Sequence, residues 1–98
     1  MSPARTQAYR RVIQTLTELG PTKLQPAEQD RIRIAADNLI FSRDLSRDVA
    51  AHEALEDIGR LCRALVESGR WMNGTADRLA ADVRACGPEA ELALSAAA

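Results

Sequence analysis

Between its glycine and proline breaks, this chain repeats apolar residues mainly every third or fourth position and sustains no every-second pattern. That periodicity admits helices and excludes a half-buried sheet, because a strand alternates its two faces residue by residue. Tyr9, Val12, Ile13, Leu16 and Leu19 form one stripe, with Arg11, Gln14 and Glu18 on the opposite side. Ser2 before Pro3 starts the helix as N-cap and first-turn proline, and Gly20-Pro21 is expected to stop it. Pro26 opens a second helix, with Glu28 near the positive end of its dipole. Ser42–Asp48 reads as a polar connection in which Ser46 is the expected cap of a third helix. Ala51, Leu55, Ile58, Cys62 and Leu65 line its core side, and Gly69 is its expected C′ residue. Trp71-Met72-Asn73-Gly74 reads as a turn, followed by a helix with Ala76, Leu79 and Val83 inward and Gly87-Pro88 as its stop. Asn73-Gly74-Thr75 also matches a glycosylation sequon but reads better as turn and cap.

The fold class that follows is all-α: a four-helix antiparallel bundle with helices at about 3–19, 26–42, 47–68 and 75–86. Short connections favour antiparallel neighbours. Ninety-eight residues suit one domain with a modest core, expected over 1–87. An alanine-rich tail over 88–98, frayed or disordered, carries Leu92 and Leu94.

A formal charge of −1 supplies no global field for nucleic acid or anionic lipid. Lys23 is the sole lysine among the basic residues, and alanine is abundant, a pairing that suggests a high-GC bacterial coding background. No apolar run reaches the ~20 residues needed to span a bilayer, and no hydrophobic signal core follows Met1–Arg5. A cytoplasmic protein is therefore expected. Arg5, Arg10 and Arg11 cluster in helix 1, but Asp48, Glu53, Glu56 and Asp57 make helix 3 a poor recognition helix, so nucleic acid is not the expected partner and a small helical DNA-associated regulator stands only as an alternative.

Catalytic and cofactor motifs are missing: there is no nucleophile elbow, Walker loop or Gly-x-Gly-x-x-Gly. No cofactor is expected. Cys62 and Cys86 fall on core faces and read as reduced, buried thiols rather than zinc ligands or a disulfide. The one histidine, His52, has Asp48 and Glu56 at i−4 and i+4. Together they form the alternative site, a loose metal or small-ligand group. The second zincin histidine is absent, however, and Val49 stands where a di-iron bundle needs glutamate. The plainer reading is a solvated flank with Glu56–Arg60 and Glu56–Arg63 pairs. Gly59, inside this helix, marks either a close helix approach or drift.

Helix 2 departs from the one-face rule. Ile32, Ala36 and Leu39 form its core stripe, whereas Ile34 and Phe41, one heptad apart, lie nearly opposite at about 100° per residue. Ile34 stands among Arg31, Arg33, Asp37 and Asn38, an apolar knob in a polar rim. An engineered binding surface would have the same look. Trp71 and Met72, in the turn between helices 3 and 4, also lie outside the stripes. The expectation is a non-enzymatic helical module that binds another protein, or a second copy of itself, through Ile34, Phe41, Asn38, Trp71, Met72, Arg31 and Asp37. The competing outcome is that helix 2 is sandwiched, or that Leu92 and Leu94 of the tail cover Ile34 and Phe41.

Overall fold

The computed structural model describes residues 3–88, and these form a four-helix antiparallel bundle. The helices are α1 (Pro3–Lys23), α2 (Pro26–Ile40), α3 (Val49–Glu67) and α4 (Asn73–Ala85), with a 3-10 turn at Leu45–Arg47. No strand occurs among the described residues. Each helix packs on both of its neighbours around the bundle, and α2 also touches α4 across the core. Ser2 and residues 89–98, including Leu92 and Leu94, lie outside the described residues. Gly87 and Pro88 are buried with the bundle, so the body extends just past the expected boundary.

The expected stripes form the core. Val12, Leu16, Ile32, Ala36, Leu39, Ala51, Ile58, Cys62, Leu65, Ala76, Leu79, Val83 and Cys86 are all buried. Each large aliphatic side chain among them contributes about 1.5–3 kcal/mol of transfer free energy. Gly69 adopts φ +77 after α3, the left-handed conformation expected of a helix-ending glycine.

The helix ends differ from expectation in four places, each for a local reason. First, α1 does not stop at Gly20-Pro21 but runs to Lys23. Proline disfavours a helical residue before it by clashing with that residue's N–H and Cβ, and Gly20 lacks the Cβ. The terminal carbonyls then find donors elsewhere. The Gln29 amide donates to the Gly20 and Leu24 carbonyls (3.0 and 3.3 Å), and Arg70 donates to that of Lys23 (3.1 Å). A Cβ at Gly20 would lie 2.9 Å from Gln29 Oε1, so a larger residue there would push the Gln29 amide off these carbonyls.

Second, α2 ends at Ile40, with Phe41 as its C-cap. Third, Asp48 and not Ser46 caps α3, accepting from the Ala51 backbone N–H at 3.0 Å. Ser46 belongs to the 3-10 turn, whose cap Asp44 accepts from both its backbone N–H and its hydroxyl. Fourth, α4 starts at Asn73 from Met72, which takes Asn73 and Gly74 out of the expected turn.

Arginine ties the helices together. The side chain of Arg5 is buried and donates to the carbonyls of Leu39 (2.8 Å), Ile40 (3.0 Å), Ser42 (2.8 Å) and Cys86 (2.8 Å). One guanidinium at the start of α1 thus closes the carbonyl ends of both α2 and α4, where a cation also meets two negative dipole ends. Arg11 pairs with the largely buried Asp82 of α4 at 2.8 Å. The expected arginine cluster of helix 1 is therefore dispersed: Arg5 is buried, Arg11 is tied to α4, and Arg10 is exposed. At the other end of the bundle, Arg70 grips both oxygens of Glu28, whose carboxylate also accepts from the Gln25 backbone N–H. That fork holds the Glu28 carboxyl below its ordinary range.

Candidate functional site: the outer face of α2

α2 lies between α1 and α3 and buries Ile32, Ala35, Ala36, Leu39 and Ile40. Its remaining large apolar residues face outward: Ile34 is 59% exposed and Phe41 78%. No described residue covers them. The helix is therefore not sandwiched on this side.

Both flanks of the face are pinned. Arg31 donates through Nε and Nη2 to the two oxygens of Asp57 on α3 (3.0 and 2.7 Å). Asp57 is held below the ordinary carboxylate range chiefly by that fork. On the other flank the Tyr9 hydroxyl of α1 donates to Asp37 at 2.6 Å, a bond that raises the Tyr9 phenol above its usual value. Asn38 is half-buried between Ile34 and Phe41, and Arg33 and Asp30 are exposed. Arg31 and Asp37 thus serve first to fix α2 against its neighbours. Ile34 and Phe41 consequently project from a braced surface, which lowers the ordering cost of docking.

Trp71 and Met72 do not join this surface. Trp71 is 6% exposed and belongs to the core, which corrects its expected place at an interface. Met72 is 79% exposed, but it precedes α4 at the end of the bundle where α2 begins. Phe41 caps the opposite end of α2, roughly 20 Å away at 1.5 Å per residue. Val49, 70% exposed at the start of α3, was absent from the expected set and lies at the Phe41 end. Its signal was available: it stands off the core stripe of α3, directly after the connection.

The alternative group around His52 does not assemble. Asp48 is occupied as the cap of α3, and the Ala51 N–H chiefly lowers its carboxyl. His52 and Glu56 are exposed, and no group of three His, Cys, Asp or Glu among the described residues could hold a metal ion. The expected Glu56–Arg60 and Glu56–Arg63 pairs do not form; Arg60 instead lies 3.7 Å from Asp57. Both cysteines are free and buried. The Cys62 thiol donates to the Ala76 carbonyl and that of Cys86 to the Asp82 carbonyl. Burial pushes the Cys86 thiol up to about 11 and also raises that of Cys62.

No helix among the described residues is long and apolar enough to cross a membrane. Compared with protein-family models, curated proteins and solved structures, the chain matches none.

Proposed function

We propose that the chain is a protein-binding module that docks through the outer face of α2. The observation that carries this reading is the exposure of Ile34 and Phe41 on a helix whose other large apolar residues are buried. In the docked state Ile34 and Phe41 enter an apolar groove, and Asn38 and the polar flanks set the orientation.

Fully burying two such side chains yields about 3–6 kcal/mol, below most of the ~4–15 kcal/mol lost in rigid-body freedom on association. The two residues are therefore anchors within a larger contact, of about 800 Å² per partner in a typical specific complex. A second copy of the chain is the first partner to test. Sedimentation over a concentration series is expected to show an association that Ile34→Ser and Phe41→Ser each abolish, with the melting temperature unchanged. A strict monomer at millimolar concentration refutes self-association. A large drop in melting temperature in either variant refutes the surface role of that residue.

A further inference from the structure

An open cleft of about 530 Å³ lies between α3, the 3-10 turn and the end of α4. Its walls are Leu45, Leu55 and Gly59 together with His52, Glu56, Arg60, Arg63 and Arg84. Three arginines against one carboxylate is a strong local bias in a chain whose formal net charge is −1. The volume falls within the range of small-molecule sites, about 300–1,000 Å³.

Two of these arginines, Arg60 and Arg63, differ from those that build the fold. Arg5, Arg11, Arg31 and Arg70 each donate hydrogen bonds to another element. Arg63 makes no hydrogen bond or ion pair with a described residue. Arg60 has only the 3.7 Å approach to Asp57, whose two oxygens already accept from Arg31. Arg60 and Arg63 therefore keep donor forks available for a planar or tetrahedral oxyanion.

Gly59 gives a second, independent indication. A mid-helix glycine weakens a helix, so one expects it to serve a close helix contact. It does not: the nearest atom to a Cβ placed there is Nη1 of Arg63 itself, at 3.4 Å. The missing side chain leaves open the wall of the cleft beside that guanidinium.

We propose that this cleft binds a small organic anion, its phosphate or carboxylate head held by Arg60, Arg63 and Arg84 and its short apolar body resting on Leu45 and Leu55. Leu45 and Leu55 are half-buried, so they offer apolar edges to the cleft while packing on the core.

The test is an NMR titration of the full chain with hexyl phosphate and with hexanoate, using inorganic phosphate and hexanol as half-ligand controls. Either amphiphile supports the proposal if it saturates shifts at Leu45, Gly59, Arg60, Arg63 and Arg84 and binds at least tenfold tighter than both controls. Which of the two does so distinguishes a phosphate from a carboxylate head. Arg60→Gln with Arg63→Gln, both exposed positions, is expected to weaken binding at least tenfold, and Glu56→Gln to strengthen it severalfold. Gly59→Ala is expected to raise the melting temperature and yet weaken binding, a combination that simple loss of structure cannot produce. The proposal is overturned if neither amphiphile saturates, or if inorganic phosphate or hexanol binds as tightly as the amphiphile. It is equally overturned if the arginine double variant binds unchanged, or if Arg43 and Arg78, exposed arginines outside the cleft, shift as strongly as its lining.

Discussion

Replacing Arg5 by methionine keeps much of the aliphatic stem and deletes the guanidinium, and the structure sets the size of the loss. Four carbonyls accept from that side chain at 2.8–3.0 Å, inside a junction that leaves Arg5 7% exposed. Hydrogen bonds to a charged group are each worth about 1.5–3 kcal/mol. Against them stands the cost of keeping a guanidinium out of water, several kcal/mol, which the variant recovers. Some of the carbonyls freed at the ends of α2 and α4 will also find water. The net loss is then about 3–5 kcal/mol, comparable to removal of one partner from a buried charged network. A chain of this length is typically stable by only about 5–15 kcal/mol, so Arg5→Met is expected to be marginally folded. Urea unfolding followed by helical circular dichroism, with the m-value checked for constancy, measures the loss. Arg5→Lys keeps the charge but not the fork and should lose less. Arg10→Met, at an exposed position one turn on, should stay within about 0.5 kcal/mol. A loss below about 1 kcal/mol for Arg5→Met would refute the role given to this junction.

The Glu28 carboxyl is lowered in the folded state, so its stabilisation is present above the ordinary carboxylate value, about 4.3, and drains as pH falls below it. Stability measured from pH 6 to 2 should therefore fall less steeply in Glu28→Gln than in the parent chain. Cys86, raised to about 11, favours the fold as a neutral thiol; that contribution holds below its ordinary value of 9.0 and is lost as pH rises toward 11. A thiol reagent at pH 8 should accordingly label Cys86 only at the rate of unfolding. Gly69→Ala should cost about 1–2 kcal/mol through the left-handed backbone at φ +77. Gly59→Ala, in a helix interior, should instead add about 0.5–1 kcal/mol. Urea midpoints of the two variants moving in the same direction would contradict one of the two assignments.

Periodicity made the core stripes of all four helices legible, because burial there depends only on which residues share a helix face. Gly69 was legible for a similarly local reason. The roles of Arg5 and Gln29 were not, since each donates to carbonyls whose positions are set by tertiary packing. The run of α1 through Pro21 was hidden for the same reason: a Gly-Pro pair normally marks a stop, and the donors that complete this end come from α2 and from beyond α3. At the proposed docking face, Ile34 and Phe41 could be picked out as misfits to the core stripe. Trp71 was also a misfit to the stripes, yet it is buried, because a residue in a turn has no helical face from which burial can be inferred. The cationic cleft was half legible. His52, Glu56, Arg60 and Arg63 share a flank of α3, whereas Arg84 and Leu45 come from other elements and meet them only in the folded bundle.

The pairing of α1 with α4 imposes an order of events on a chain made from its N-terminus. α2 and α3 are adjacent in sequence and can dock as a hairpin as soon as both exist. α1, by contrast, needs α4 as a wall: Arg11 reaches Asp82 across 71 positions and Arg5 reaches Cys86 across 81. Until α4 has left the ribosome, the side of α1 that will meet it lacks that wall, and Arg5 has only the carbonyls of Leu39, Ile40 and Ser42. The first of these four helices to be synthesised is thus the last of them to be completed. Closure of this long loop, more than formation of any single helix, is the step on which the folding rate should depend.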